Sequence, residues 1–142
     1  MAIRRIGQVL VDLGFVTDDQ LESLLEEQQA QAGEKLGKIA EEMALITDDQ
    51  LAQALAEQMN MQVISLADAK LSEELVAMVT ETMAQLYRVI PVAFEHEVLT
   101  VATAEPEKLT VEDELRTFLG HEIRSVVCTN REIQDALDRY YA

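Results

Sequence analysis

The apolar and polar positions of the first 58 residues follow a pattern that occurs twice. Sliding the chain against itself matches residues 5–28 (RIGQVLVDLGFVTDDQLESLLEEQ) to residues 35–58 (KLGKIAEEMALITDDQLAQALAEQ) at an offset of 30. Each copy opens with apolar residues three and four apart, turns, and then presents the same starter, Val/Ile-Thr-Asp-Asp-Gln-Leu. Thr17 and Thr47 suit the N-cap, Gln20 and Gln50 three residues later complete a capping box, and two aspartates follow each threonine at the positive helix end. The pattern predicts four helices, near 3–13, 18–31, 35–43 and 48–59. Leu21, Leu24 and Leu25, and likewise Leu51, Ala54 and Leu55, keep helical spacing and are expected to face a shared core. Gly14 stands where the first helix ends and the chain reverses, a place for a left-handed residue. The second copy has Ala44 there. A positive φ would cost alanine about 1 kcal/mol, so a turn of different shape is expected.

Past Gln58 the pattern changes to short β-branched runs alternating with helical stretches. Residues 62–66 (QVISL) predict a strand, and Ser72 followed by two glutamates starts a helix running to about residue 85. Residues 87–94 and 98–102 predict a hairpin about Glu95-His96-Glu97, with Pro91 marking an edge strand. A helix over 108–119 is expected to end at Gly120, a third hairpin-like or edge strand to cover 122–127, and Thr129 to cap a last helix reaching about Tyr140. The expected fold is α+β. A helical subdomain, 1–61, carries the two repeats as a tandem helix-turn-helix, and a β-α-β-β-α-β-α subdomain, 62–142, places helices on a small, mostly antiparallel sheet.

Composition narrows the function. A chain of 142 residues buries a core without staples, and its single Cys128, behind Val126 and Val127, predicts a buried apolar filler in a reducing compartment. The net charge of −16 excludes general binding to DNA, RNA or anionic lipid. A helix-turn-helix DNA reader is disfavoured further, because the helices that would enter a groove begin with acids. Residues 1–5 do not form a signal peptide and no apolar run is long enough to span a membrane, so a cytoplasmic location is expected. No phosphate-binding loop, dinucleotide fingerprint, zinc motif or nucleophile elbow occurs, which predicts a non-enzymatic protein without metal or cofactor. His96 and His121 are expected at the surface, and Glu26, Glu27, Glu41 and Glu42 on a solvated face.

The charge is uneven, with Arg4 and Arg5 clustered at the start of the first copy and Lys35 and Lys38 at the start of the second. In each copy a basic residue, Arg5 or Lys35, precedes an apolar residue and a glycine, and Gln28 or Gln58 closes the unit. Two accounts fit. Gly7 and Gly37 could serve close helix packing, with the glutamines satisfying nearby backbone. Alternatively, a glycine opening a helix lets a phosphate approach backbone N–H groups, while arginine and glutamine offer donors and acceptors to a guanine edge. A doubled unit suits a ligand that is itself two-fold.

The segments RIGxxLxxxGxxxxxxLxxxLxxQ (Arg5, Ile6, Gly7, Leu10, Gly14, Leu21, Leu25, Gln28) and KLGxxAxxxAxxxxxxLxxxLxxQ (Lys35, Leu36, Gly37, Ala40, Ala44, Leu51, Leu55, Gln58) resemble the paired motifs of the MshEN-type N-terminal domain of type II secretion and type IV pilus assembly ATPases. The resemblance continues through YRVIPVAF, VLTVATAEP and EIQDALDRYY. It implies a regulatory domain that binds cyclic di-GMP, one motif for each guanylate half. Carried over by position, Arg5, Ile6, Gly7, Leu10, Gly14, Leu25 and Gln28 would form the first half-site, and Lys35, Leu36, Gly37 and Gln58 the second. Glu105 takes the place of the acidic residue in the family's Ala-Asp-Pro tripeptide, where a carboxylate accepts from guanine N1 and N2. In the second copy lysine replaces arginine, Ala40 a leucine and Ala44 a glycine, and residues 29–34 make a spacer one residue longer. Lysine keeps the charge and loses the planar fork. The resemblance also implies an attached or separate motor ATPase, and hence an alternative function: a module that docks a secretion or pilus ATPase to its inner-membrane platform without binding nucleotide.

Overall fold

The computed structural model describes residues 4–67 and 69–141. The chain divides into two compact units, Met1–Asn60 and Met61–Ala142.

The first unit holds four helices, α1 (Ile6–Asp12), α2 (Asp18–Ala30), α3 (Leu36–Glu42) and α4 (Asp48–Met59). Residue 3, where the first helix was expected to begin, lies outside the described residues. Both long helices start as the repeated hexamer dictates. The Thr17 hydroxyl accepts from the Gln20 amide at 3.1 Å while the Gln20 side chain accepts from the Thr17 amide at 2.8 Å, and Thr47 and Gln50 repeat the pair at 3.1 and 2.9 Å. The short helices span seven residues each. Helices that short are unstable alone in water, so tertiary packing holds them. Val9, Leu10, Leu24, Ile39, Ala40 and Ala54 are wholly buried at the centre of the unit's core.

Both short helices end in the same turn. The Gly14 amide donates to Val11 O and that of Phe15 to Leu10 O; likewise Ala44 donates to Glu41 O and Leu45 to Ala40 O. This is the Schellman closure, and it places Gly14 at φ 77° and Ala44 at φ 59°. The expectation of a different second turn is therefore corrected. Two backbone hydrogen bonds, worth about 1 kcal/mol each, offset the strain of a left-handed alanine.

The second unit builds a three-stranded sheet in the order β1 (Val89–Glu95), β2 (Val98–Thr103), β3 (Glu122–Val127). β1 and β2 form the expected hairpin, closed by His96 and Glu97 at φ 51° and 67°, and the register slips between Pro91 and Ala93 on the edge strand. β2 and β3 pair in parallel, from Val98↔Glu122 to Thr103↔Val127. The sheet is thus mixed, not mostly antiparallel: α7 (Thr110–Leu119) runs back along the sheet and returns the chain to the end where β2 began. Gly120 ends α7 at φ 73°.

Two further expectations need correction. Residues 62–66 form a single parallel bridge, Val63↔Val127, instead of a strand. The segment leaves the sheet because the Leu66 amide and the Ser65 hydroxyl donate to the Glu132 carboxylate. The helix expected from Ser72 to about residue 85 is two helices, α5 (Glu73–Val76) and α6 (Glu81–Tyr87), because Thr80 caps a new start by accepting from the Met83 amide at 3.2 Å. The last helix, α8 (Asn130–Tyr140), carries the expected Thr129 cap. Burial disfavours the Glu132 charge, but the hydrogen bonds from Leu66, Thr129 and Ser65 outweigh it and lower its pKa. Cys128 is buried in this unit's core, and the Tyr141 hydroxyl, donating to Val76 O at 2.7 Å, is pushed up to about 12 by burial.

Candidate ligand-binding site

Arg5 and Lys35 occupy the N-cap positions of α1 and α3, both in extended backbone with no capping side-chain hydrogen bond. Both side chains are exposed. The glycines that follow are buried, and leucines account for them. A Cβ on Gly7 would lie 2.6 Å from Leu21 Cδ1 and 3.0 Å from Leu36 Cδ2, and one on Gly37 would lie 2.5 Å from Leu51 Cδ1. Each glycine therefore admits the first leucine of its own repeat's long helix.

The glutamines cross between the repeats. Gln58 Nε2, at the end of α4, donates to the Arg4 carbonyl at 2.8 Å, and Gln28 Nε2, in α2, donates to the Glu34 carbonyl at 3.2 Å. α4 packs on α1, and α2 on α3. Arg5 thus shares an end of the unit with Gln58, and Lys35 with Gln28. In the chain without ligand, each glutamine side chain is thus held by the backbone in front of the other motif's basic residue.

Arg4 fastens the first end further, through Nη1 to Asp12 at 2.9 Å and Nη2 to Glu57 at 3.3 Å. The Asp12 carboxyl is held below its ordinary value by hydrogen bonds from Gln8 first and from Arg4 second. At the second end the repeat counterpart of Arg4 is Glu34, whose carboxylate meets Lys38 at 3.5 Å. Arg4 was legible only as part of the basic cluster, and its ion pairs were not, because its counterpart in the second copy has the opposite charge.

Residues 59–142, more than half of the chain, match the family model of the MshEN domain. The chain belongs to the MshEN domain family. The matched region is the second unit, while whole-length relatives extend the likeness over the repeats. The type IV pilus assembly ATPase PilB of Myxococcus xanthus is 29% identical over 138 residues, 97% of this chain. The chain spans only 24% of that protein's length. Among solved structures, MshE with cyclic di-GMP is 28% identical, with TM-score 0.86 over 97% of this chain and 99% of the other. The N-terminal domain of XpsE, 19% identical with TM-score 0.77 over the full length of both chains, shares the fold.

Within this MshEN domain the residues named by position fall into distinct environments. Leu10 is fully buried and Leu36 is 7% exposed, so both belong to the core. Ile6 is half-buried and Gly14 is exposed, and Leu25, expected to face the shared core with Leu21 and Leu24, instead leaves 45% of its surface open. Glu105 lies in the second unit, on the loop after β2, where its carboxylate meets Lys108 Nζ at 2.8 Å and its amide donates to Thr103 Oγ1 at 3.0 Å. The cavity there, between Thr103, Glu105, Leu109 and Ser125, measures about 10 Å³, room for one water. Among the described residues no cluster of His, Cys, Asp or Glu could hold a metal ion, and no helix is long and apolar enough to cross a membrane.

Proposed function

We propose that this MshEN domain is a non-enzymatic receptor for cyclic di-GMP in a type II secretion or type IV pilus system, taking one guanylate half at each end of the paired repeats. The reading is supported by the reciprocal geometry of the first unit, where each glutamine holds the carbonyl directly in front of the other repeat's basic residue. It is supported by the likeness to MshE with cyclic di-GMP, which spans both units. Arg5 would bind a guanine edge through its planar fork, and Lys35 would act on the second half as a point charge. Exposed Leu25 offers an apolar surface to a base.

Isothermal titration with cyclic di-GMP, against GTP and cyclic di-AMP as controls, tests the reading. Saturable heat for cyclic di-GMP alone is expected. Loss of one bidentate contact, about 1–3 kcal/mol, predicts that Arg5→Ala weakens binding roughly 5- to 150-fold with little change in melting temperature. Destabilisation with unchanged affinity would overturn the assignment of Arg5.

A second reading, docking of a secretion or pilus ATPase to its membrane platform, is favoured by the apolar residues left open on the second unit. Leu86, Phe118 and Leu109 are 70%, 67% and 57% exposed. Retention of the purified platform protein on the immobilised chain without nucleotide would support it.

A further inference from the structure

We propose that Gln28 and Gln58 are positioning residues that tie each half-site to the opposite repeat, so that the backbone in front of Arg5 is set by α4 and the backbone in front of Lys35 by α2. The inference rests on the cyclic di-GMP reading for its effect on binding, but not for the clips themselves. Each glutamine gives one N–H of its Nε2 to the carbonyl directly preceding a basic residue, at 2.8 Å for Gln58 to Arg4 and 3.2 Å for Gln28 to Glu34. A side-chain amide so engaged fixes the peptide that carries the basic residue instead of reading a base with that donor. Arg5 and Lys35 then present their charges from a held backbone, which lowers the ordering cost of binding.

The clips differ in reach. Gln28 and Glu34 are six residues apart, whereas Gln58 and Arg4 are 54 apart. Closing the longer span costs more chain entropy, and the Arg4 ion pairs with Asp12 and Glu57 reinforce it. The Lys35 end is therefore formed locally, while the Arg5 end forms only when the last helix of the unit has docked on the first. A ligand held by Arg5 would stabilise that docking.

Gln28→Met and Gln58→Met keep the side-chain length and remove the donor. In the whole chain, Gln58→Met should weaken cyclic di-GMP binding about tenfold and show non-additivity with Arg5→Lys. Gln28→Met should cancel whatever affinity Lys35→Arg adds, and the crossed pairs, Arg5→Lys with Gln28→Met and Lys35→Arg with Gln58→Met, should be additive. Amide hydrogen exchange gives a readout without ligand. Gln58→Met should speed exchange at Val9, whose amide donates to Arg5 O at 3.1 Å, and Gln28→Met at Ile39, whose amide donates to Lys35 O at 3.1 Å, each leaving the other site unchanged. Coupling within each motif, or exchange unmoved in both variants, would overturn the proposal. If the unsubstituted chain gives no heat with cyclic di-GMP, the receptor reading fails and the exchange pattern alone decides the clips.

Discussion

Ala44 shows how far one residue's conformational preference reaches. Its φ of 59° is a left-handed strain that Gly14, at φ 77° in the matching turn, does not bear. No heavy atom lies within 4 Å of a Cβ built on Gly14, so the difference between glycine and alanine in this turn is one of backbone. Ala44→Gly should therefore stabilise the chain, by about 0.5–1 kcal/mol after allowing for the greater freedom of glycine in the unfolded state. Gly14→Ala should cost a similar amount. Denaturant midpoints for the two variants check both signs, and a loss of stability in Ala44→Gly would refute this account of the turn. The turn's shape was hidden in the sequence because the alanine argues against it, while the two closing hydrogen bonds and the burial of Ile46 decide it.

Among elements, the capped ones were legible and those shaped by their neighbours were not. Thr17, Thr47 and Thr129 each announced a helix, with the capping partner three residues on. Thr80 caps α6 with Met83 three residues on, where these three have Gln or Glu, so its signal was weaker and the expectation of one continuous helix from Ser72 covered it. The strand expected at 62–66 has the right β-branched residues, but its end is drawn off by a carboxylate on α8, a contact between residues 66 positions apart. At the candidate site the residue types were readable and their partnership was not, since Gln58 meets Arg4 only after four helices have packed. The packing of glycine under leucine gives a prediction at this scale. Gly37→Ala gains about 1 kcal/mol of helix propensity, but crowds Leu51, itself 8% exposed, at a cost of about 1–3 kcal/mol. A net loss of stability is expected, smaller in the Leu51→Ala background; thermal melts of the two singles and the double measure the coupling. Equal effects in both backgrounds would mean that Leu51 does not hold the glycine's place.

For the molecule as a whole the charge of −16 is the dominant long-range term. Like charges at this density repel one another in the folded state more than in the expanded chain, and salt screens that repulsion over a length of about 8–10 Å near physiological strength. The melting temperature should rise as sodium chloride is raised from about 20 to 200 mM, a range over which the screening length falls severalfold. A fall would show that ion pairs such as Arg4 with Asp12 and Glu57 outweigh the general repulsion.

The crossed clips also bear on how such a protein could arise. One copy of the 24-residue unit has its basic residue at the start and its glutamine at the end, and each glutamine is met by the backbone that leads into the other copy. A single-copy ancestor would have been complete only as a symmetric pair of chains, in which any mutation altered both halves at once. Fusion into one chain lifts that constraint. Arg5 beside Lys35, Gly14 beside Ala44 and Arg4 beside Glu34 are differences that only a fused pair could accumulate, one half at a time.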